Sequence, residues 1–237
     1  MRYFRKEPEV WWKEGQSPVS EADFAVDKFL RETLLAARPD YGWLSEETPD
    51  SPDRLSAKRT FVVDPIDGTR AFIGNKATWC VSIGVVQDGR PVAGVLDCPA
   101  KSEVFEAVLD GGARLNGAAV QVPAVTAHPA IGGPKAMIDL LDPMDRETSR
   151  SVSYIPSLAY RIAMVARGEI DATFVKPNSH DWDLAAADLI LQEAGGRIID
   201  ATGERLRYAT RNVKHGPLAA GSGELLEKLA IVLGKTR

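Results

Sequence analysis

Apolar positions recur along this chain in two rhythms, a helical one and a strand one, and their order suggests two halves. Residues 20–37, SEADFAVDKFLRETLLAA, carry a helical period, with Phe24, Phe29, Leu30 and Leu34 supplying an apolar face. Ser20 is placed to cap this helix, and Glu21 and Asp23 suit its first turn. Residues 42–48, GWLSEET, read as a short strand entering a loop, and residues 60–63 as a strand ending at Asp64. Two further strands, 78–86 and 91–97, are joined by the turn Gln87-Asp88-Gly89-Arg90, and residues 104–117 form another hairpin bending at Gly111-Gly112. Residues 121–153, with Pro123, Pro129, Pro134 and Pro143, read as a link between halves. Beyond them the pattern becomes α/β. Helices over 157–169 and 181–196 alternate with strands over 171–175 and 197–201, and a strand then leads into a helix capped by Ser222.

Composition narrows the function. The 237 residues are 44% hydrophobic and 26% charged, ordinary for a folded domain with a substantial core. A formal net charge of −4 argues against binding nucleic acid or an anionic membrane through bulk charge, so a small anionic substrate needs local positive charge from a metal or a helix end. Cys80 and Cys98 form neither a CxxC pair nor a disulfide framework, which fits a reducing cytoplasm. No apolar run approaches 18 residues, and MRYFRKEPEV has no signal-peptide core. His128, His180 and His215 are scattered, so zinc is poorly supported. The abundant carboxylates suit a hard cation such as Mg²⁺.

The densest chemistry lies in FVVDPIDGTRAF, residues 61–72. Pro65 stiffens the bend between Asp64 and Asp67, so both carboxylates can face one point. Two bare carboxylates so close repel, and a divalent cation removes the conflict. An Asp-Pro turn followed by Asp67-Gly68 accounts equally well for the motif alone. Three other features favour the metal reading. They are Glu46-Glu47 after a short strand, Asp181 and Asp183 around Trp182 at a helix start, and Gly68-Thr69, whose N–H groups can cradle an anion. Separately, each has a plain alternative as a solvated charge or a cap.

Together these residues resemble the inositol monophosphatase family of Mg²⁺-dependent, lithium-sensitive phosphatases. Asp64-Pro65-Ile66-Asp67-Gly68-Thr69 matches its first signature. Trp182-Asp183-Leu184-Ala185-Ala186, continuing to Glu193-Ala194-Gly195-Gly196, matches its second, and Ser45-Glu46-Glu47 and Ser17-Pro18-Val19 through Asp23 match in order over residues 10–225. The resemblance implies an α+β / α/β fold, a layered αβαβα sandwich of the inositol monophosphatase and fructose-1,6-bisphosphatase type. Residues 1–127 would be an α+β half carrying Glu46 and the DPIDGT motif, and residues 128–237 an α/β half carrying the WD motif. It also implies a cytoplasmic homodimer with two or three Mg²⁺ per site. Glu46, Asp64 and the Ile66 carbonyl would hold one ion, and Asp64, Asp67 and Asp183 another. Glu46 and Thr69 would orient the attacking water, with Asp23 bonded to Thr69. Asp67, Gly68, Thr69, Ser157, Arg161 and Asp183 would meet substrate. Lys13 would stand near the water network.

The chain also departs from the family. It begins about one helix late, through a short start or a start codon placed too far downstream. Pro156 replaces a glycine before Ser157-Leu158-Ala159. Arg70-Ala71-Phe72 resembles the bisphosphate nucleotidase and histidinol phosphatase branches more, and Arg161 stands where inositol monophosphatases tend to have an aspartate and bisphosphate nucleotidases a lysine; either arginine could meet a second phosphate or be an exposed charge. The expected activity is hydrolysis of a small phosphate monoester such as inositol 1-phosphate, with those two branches as alternatives and a non-catalytic metal-binding regulatory partner as another.

Overall fold

The computed structural model describes residues 1–13 and 17–235. In chain order the first elements are β1 (Val10–Trp12), β2 (Pro18–Ser20), α1 (Glu21–Ala37), β3 (Gly42–Ser45), β4 (Arg59–Asp67), α2 (Thr69–Ile73), β5 (Cys80–Gln87), β6 (Arg90–Cys98), β7 (Glu103–Val108), β8 (Ala113–Leu115) and β9 (Ala118–Val120). There follow β10 (Ala130–Gly132), α3 (Lys135–Ile138), α4 (Pro143–Thr148), β11 (Arg150–Ser151), α5 (Leu158–Ala166), β12 (Ala172–Val175), β13 (Ser179–His180), α6 (Asp181–Glu193), β14 (Arg197–Asp200), β15 (Lys214–His215), β16 (Leu218–Gly221) and α7 (Gly223–Gly234).

Strands β3 to β9 form one seven-stranded sheet in sequence order, parallel only between β3 and β4. A second, five-stranded sheet has the order β11-β10-β12-β16-β14. The layers follow from which faces are apolar. Phe61 and Val63 of β4 pack with Trp43 against Leu30, Leu34 and Leu35 of α1. Val62 points the other way, into the large core shared with α5 and α6. Burial on both faces explains the nearly continuous apolar run of β4. Across the second sheet, Phe174 and Ala219 pack on Leu226, Leu229 and Leu233 of α7. The result is the expected αβαβα order, with α5 and α6 as the shared middle layer.

That middle layer binds the halves together. Helix α6 lies so close to the first sheet that a Cβ on Gly94 would sit 2.9 Å from the Ala186 carbonyl oxygen. Its Leu184, Leu189, Ile190 and Leu191 are fully buried, each contributing about 1.5–3 kcal/mol. Among the described residues no helix is long and apolar enough to cross a membrane.

Three expectations need correction. Strand β4 does not stop at Asp64. It continues through Asp67 across a register shift, because Pro65 lacks the N–H that a straight ladder needs. The 121–153 stretch is more than a link, since β10 and β11 are strands of the second sheet. Elements of two or three residues are too short for periodicity to reveal. Finally, Phe24 and Phe29 of α1 are 46% and 64% exposed, whereas Ala22, Asp23 and Asp27 are buried. The inward face at the start of α1 is polar because it builds the site: Asp23 accepts from Ser20 and Thr69, and Asp27 from Ser45 and Thr48.

Candidate active site

The site begins where α1 meets the bulge of β4. Asp23 Oδ2 accepts the Ser20 N–H at 2.8 Å and the Ser20 hydroxyl at 2.6 Å, which fixes the first turn of α1. Its other oxygen accepts from Thr69 Oγ1 at 3.1 Å, and the Ile66 carbonyl lies equally close to that hydroxyl. Asp64 is fixed locally, its Oδ1 accepting the Ile66 N–H at 3.0 Å across Pro65. Gly68, at φ +92°, starts α2 from the left-handed region. A Cβ there would sit 2.9 Å from that of Ser157, so the motif of the first half is pressed against the second.

Ser157 caps α5 through its bond from the Tyr160 N–H at 3.0 Å, and it is fully buried behind Asp67. Its hydroxyl and the Ala159 N–H each donate to Asp67 Oδ2 at 2.6 Å, and the Leu158 N–H donates to Oδ1 at 3.2 Å. Asp183, in the first turn of α6, accepts the His180 N–H at 2.6 Å. One oxygen each from Asp64, Asp67 and Asp183 then lies within 4.8 Å of the others. Burial first, then the charges of Glu46, Asp67 and Asp183, raise the Asp64 carboxyl well above its usual range. Burial and Asp67 do the same to Asp183. Burial raises Asp67 to about 6, against its three α5 donors.

The fit to a cation follows from this arrangement. All three groups are hard oxygen donors, and ionising them together in a buried cluster is costly without a positive charge among them. The cluster could therefore hold a metal ion. Glu46 lines the same cleft outside that triad. Its Oε1 accepts from Lys13 Nζ at 3.1 Å, and the same ammonium donates to Glu47 at 2.6 Å. Burial raises the Glu47 carboxyl to about 7, opposed by Lys13.

The cleft has a volume of about 640 Å³, fit for a small molecule. The cleft wall also carries the cations Arg161, which feels the charge of Asp67, and Lys176, which feels that of Asp183. Arg161 makes no ion pair among the described residues. Its NH1 and NH2 reach the Ile155 and Phe174 carbonyls only at 3.4 and 3.3 Å, and its buried Nε has no partner. Beside Asp183 the His180 ring stacks flat on Trp182, centroids 4.5 Å apart. Sequence reasoning named Arg161, Arg70 and Lys13 but missed Lys176 and His180. The proximity of both to the WD motif was the one available signal.

Comparison with known proteins agrees with this geometry. The sequence profile of the inositol monophosphatase family matches residues 2–233. An inositol monophosphatase of Dictyostelium discoideum is 28% identical over 98% of this chain and 88% of its own length. The 3'(2'),5'-bisphosphate nucleotidase CysQ of Haemophilus influenzae is 28% identical over 91% of this chain and 84% of its own. The crystal structure of the extragenic suppressor protein suhB from Bartonella henselae superposes with a TM-score of 0.83, at 28% identity over 98% of this chain and 90% of that one.

Proposed function

This chain belongs to the inositol monophosphatase family, whose members are phosphoric monoester hydrolases, and on that premise we propose that it hydrolyses a small phosphate monoester with Mg²⁺ bound at Asp64, Asp67 and Asp183. The observation that carries this reading is the convergence of those three carboxylates within 4.8 Å in a cleft also lined by Thr69. Glu46 and the Ile66 carbonyl complete the proposed ligands once Lys13 gives way. Bound Mg²⁺ would neutralise carboxylates and phosphate oxygens together and make water a competent nucleophile at neutral pH.

The chain's own groups do the positioning. With its proton given to Asp23 Oδ1 rather than to the equally close Ile66 carbonyl, Thr69 Oγ1 would have a lone pair free to take a proton from a water held beside Glu46. The Thr69 proton can pass to Asp23 in the same step. Burial raises the Asp23 carboxyl, which makes it the better acceptor. The N–H groups of Gly68 and Thr69 would receive the phosphate oxygens. We assign no covalent phospho-enzyme.

Arg161 favours a substrate with a second anionic group. A largely buried guanidinium that makes no ion pair among the described residues and feels only the more distant charge of Asp67 is costly, and a phosphate or carboxylate on the leaving group would supply a closer counter-charge. This supports a bisphosphate over a simple polyol phosphate. The test is phosphate release with Mg²⁺ from inositol 1-phosphate, 3′-phosphoadenosine 5′-phosphate and histidinol phosphate in parallel, with and without Li⁺. We expect turnover, inhibition by Li⁺ and a preference for the bisphosphate. Binding of Mg²⁺ with no release from any substrate would instead favour a non-catalytic regulatory partner. Light scattering on the same sample tests the expected homodimer.

A further inference from the structure

The turn that carries Asp183 is held from behind by a carboxylate the reaction does not use. Asp181, two residues earlier, is fully buried and contributes nothing to the cleft wall. Its Oδ1 accepts from His215 Nε2 at 2.7 Å and its Oδ2 from the Ala209 N–H at 2.6 Å. The backbones are zipped as well. Strands β13 and β15 pair antiparallel, Ser179 opposite His215 and His180 opposite Lys214. The Asp181 N–H donates to the Val213 carbonyl at 2.9 Å, and the Asn178 N–H to the His215 carbonyl at 2.9 Å. Residues 208–215 thus run as a strap along the start of α6.

Such a strap has a mechanical purpose. Three carboxylates converge at the cluster and repel one another, and the first turn of a helix is where backbone bonding is weakest. Asp183 itself is tethered by the His180 N–H. Without a restraint behind it, the turn can yield outward and spread the cluster. A buried, fully bonded carboxylate is an expensive restraint compared with an apolar contact. It fixes one geometry rather than a range of them.

We propose that the Asp181–His215 pair positions Asp183 for metal binding, acting through the α6 turn without touching substrate. This rests on Asp64, Asp67 and Asp183 being the metal site. The strap also offers its own control. The Tyr208 hydroxyl bonds Asp188 further along α6, donating to Oδ2 at 2.9 Å, while the Tyr208 ring lies 5.4 Å from the His215 ring, so Tyr208→Phe removes the hydroxyl bond and keeps the ring contact.

The experiment is calorimetric titration of the full chain with Mg²⁺ alone at fixed pH, with Tm and phosphate release measured on each variant. His215→Ala is expected to weaken Mg²⁺ binding about tenfold, at the lower end for partners that orient metal ligands, while keeping kcat within about threefold at saturating Mg²⁺. His215→Gln, which can still donate to Asp181, is expected to recover much of the affinity. Tyr208→Phe is expected to lower Tm and leave the affinity unchanged. Unchanged Mg²⁺ affinity in His215→Ala, or equal weakening in Tyr208→Phe, overturns the positioning role and leaves the pair merely structural. Should His215→Ala not fold, Asp181→Asn carries the test, and unchanged affinity there overturns it equally. A parent chain that neither binds Mg²⁺ nor releases phosphate removes the metal reading itself, an outcome distinct from a normal parent with an indifferent His215→Ala.

Discussion

Ser157 and Asp67, 90 positions apart, share a hydrogen bond of 2.6 Å from the serine hydroxyl to Oδ2. The serine belongs to the cap of α5 in the second half and the aspartate to the β4 bulge in the first. With the Ala159 and Leu158 N–H groups it places a carboxylate on the positive end of α5, which favours the ionised form a metal requires. Ser157 thus supports a carboxylate of a cluster that could hold a metal ion, and it does not line the cleft.

Ser157→Ala removes both that donor and the α5 cap. The loss is expected to cost about 1–2 kcal/mol of stability and to raise the Mg²⁺ concentration needed for half-maximal activity about tenfold. Thermal unfolding and a Mg²⁺ titration of activity measure the two effects. An unchanged Mg²⁺ requirement would separate Asp67 from its α5 donors.

Asp64→Asn is expected to reduce turnover by at least about 10³-fold, because Asp64 is the carboxylate most crowded by its neighbours and the one assigned to bridge ions. In EDTA the same variant should unfold at the same or a higher temperature than the parent, since the substitution removes mutual repulsion. Near-parental turnover would sink the two-metal assignment. A large loss of stability in EDTA would show that Asp64 is structural.

Arg161→Ala is expected to lower kcat/KM for 3′-phosphoadenosine 5′-phosphate about 10- to 100-fold while changing inositol 1-phosphate hydrolysis less than about threefold. Losing both equally would remove Arg161 from substrate selection.

Asp188 gives a pH signature outside the Asp64–Asp67–Asp183 cluster. Burial raises its carboxyl from 3.8 to about 6, opposed by the Tyr208 hydroxyl. Because the folded state holds this proton more tightly, the stability contributed is fully present below pH 3.8 and is lost as pH rises through about 6. Partial exposure holds the effect to about 1–2 kcal/mol. Asp188→Asn should therefore stabilise the chain more at pH 7.5 than at pH 4.5. Equal shifts in Tm at both would show that the carboxyl titrates normally.

Much of this was legible in the sequence. Short-range rules suffice for the Ser20–Asp23 cap, the Asp88-Gly89 hairpin turn and the stiff Asp64–Asp67 bend, because each depends on neighbours within a few residues. Motif order also named Asp183 as a partner for Asp64 and Asp67. The family signature chose Asp183 over Asp181, a choice that the bare spacing of the two around Trp182 does not make. Both flank Trp182, yet one joins the carboxylate cluster with Asp64 and Asp67 and the other bonds His215 and Ala209. That division depends on where residues 208–215 return, and no local pattern records it. The outward Phe24 and inward Asp23 fail apolar patterning for a related reason, since a helix that builds an active site buries polar groups with fixed partners.

The sequence by itself determined which residue types could do the chemistry: hard oxygen donors, a hydroxyl beside a carboxylate, and stiff turns to present them. Only the tertiary structure decided how they meet. It placed α5 and α6 between the two sheets, so that an aspartate of the first half rests on a helix of the second. Among the described residues it also left Arg161 without an ion pair while giving Lys13 two. The reason is physical. Backbone geometry and capping act over a few residues and are written locally, whereas packing and Coulomb interactions depend on distance in space, which the fold alone sets.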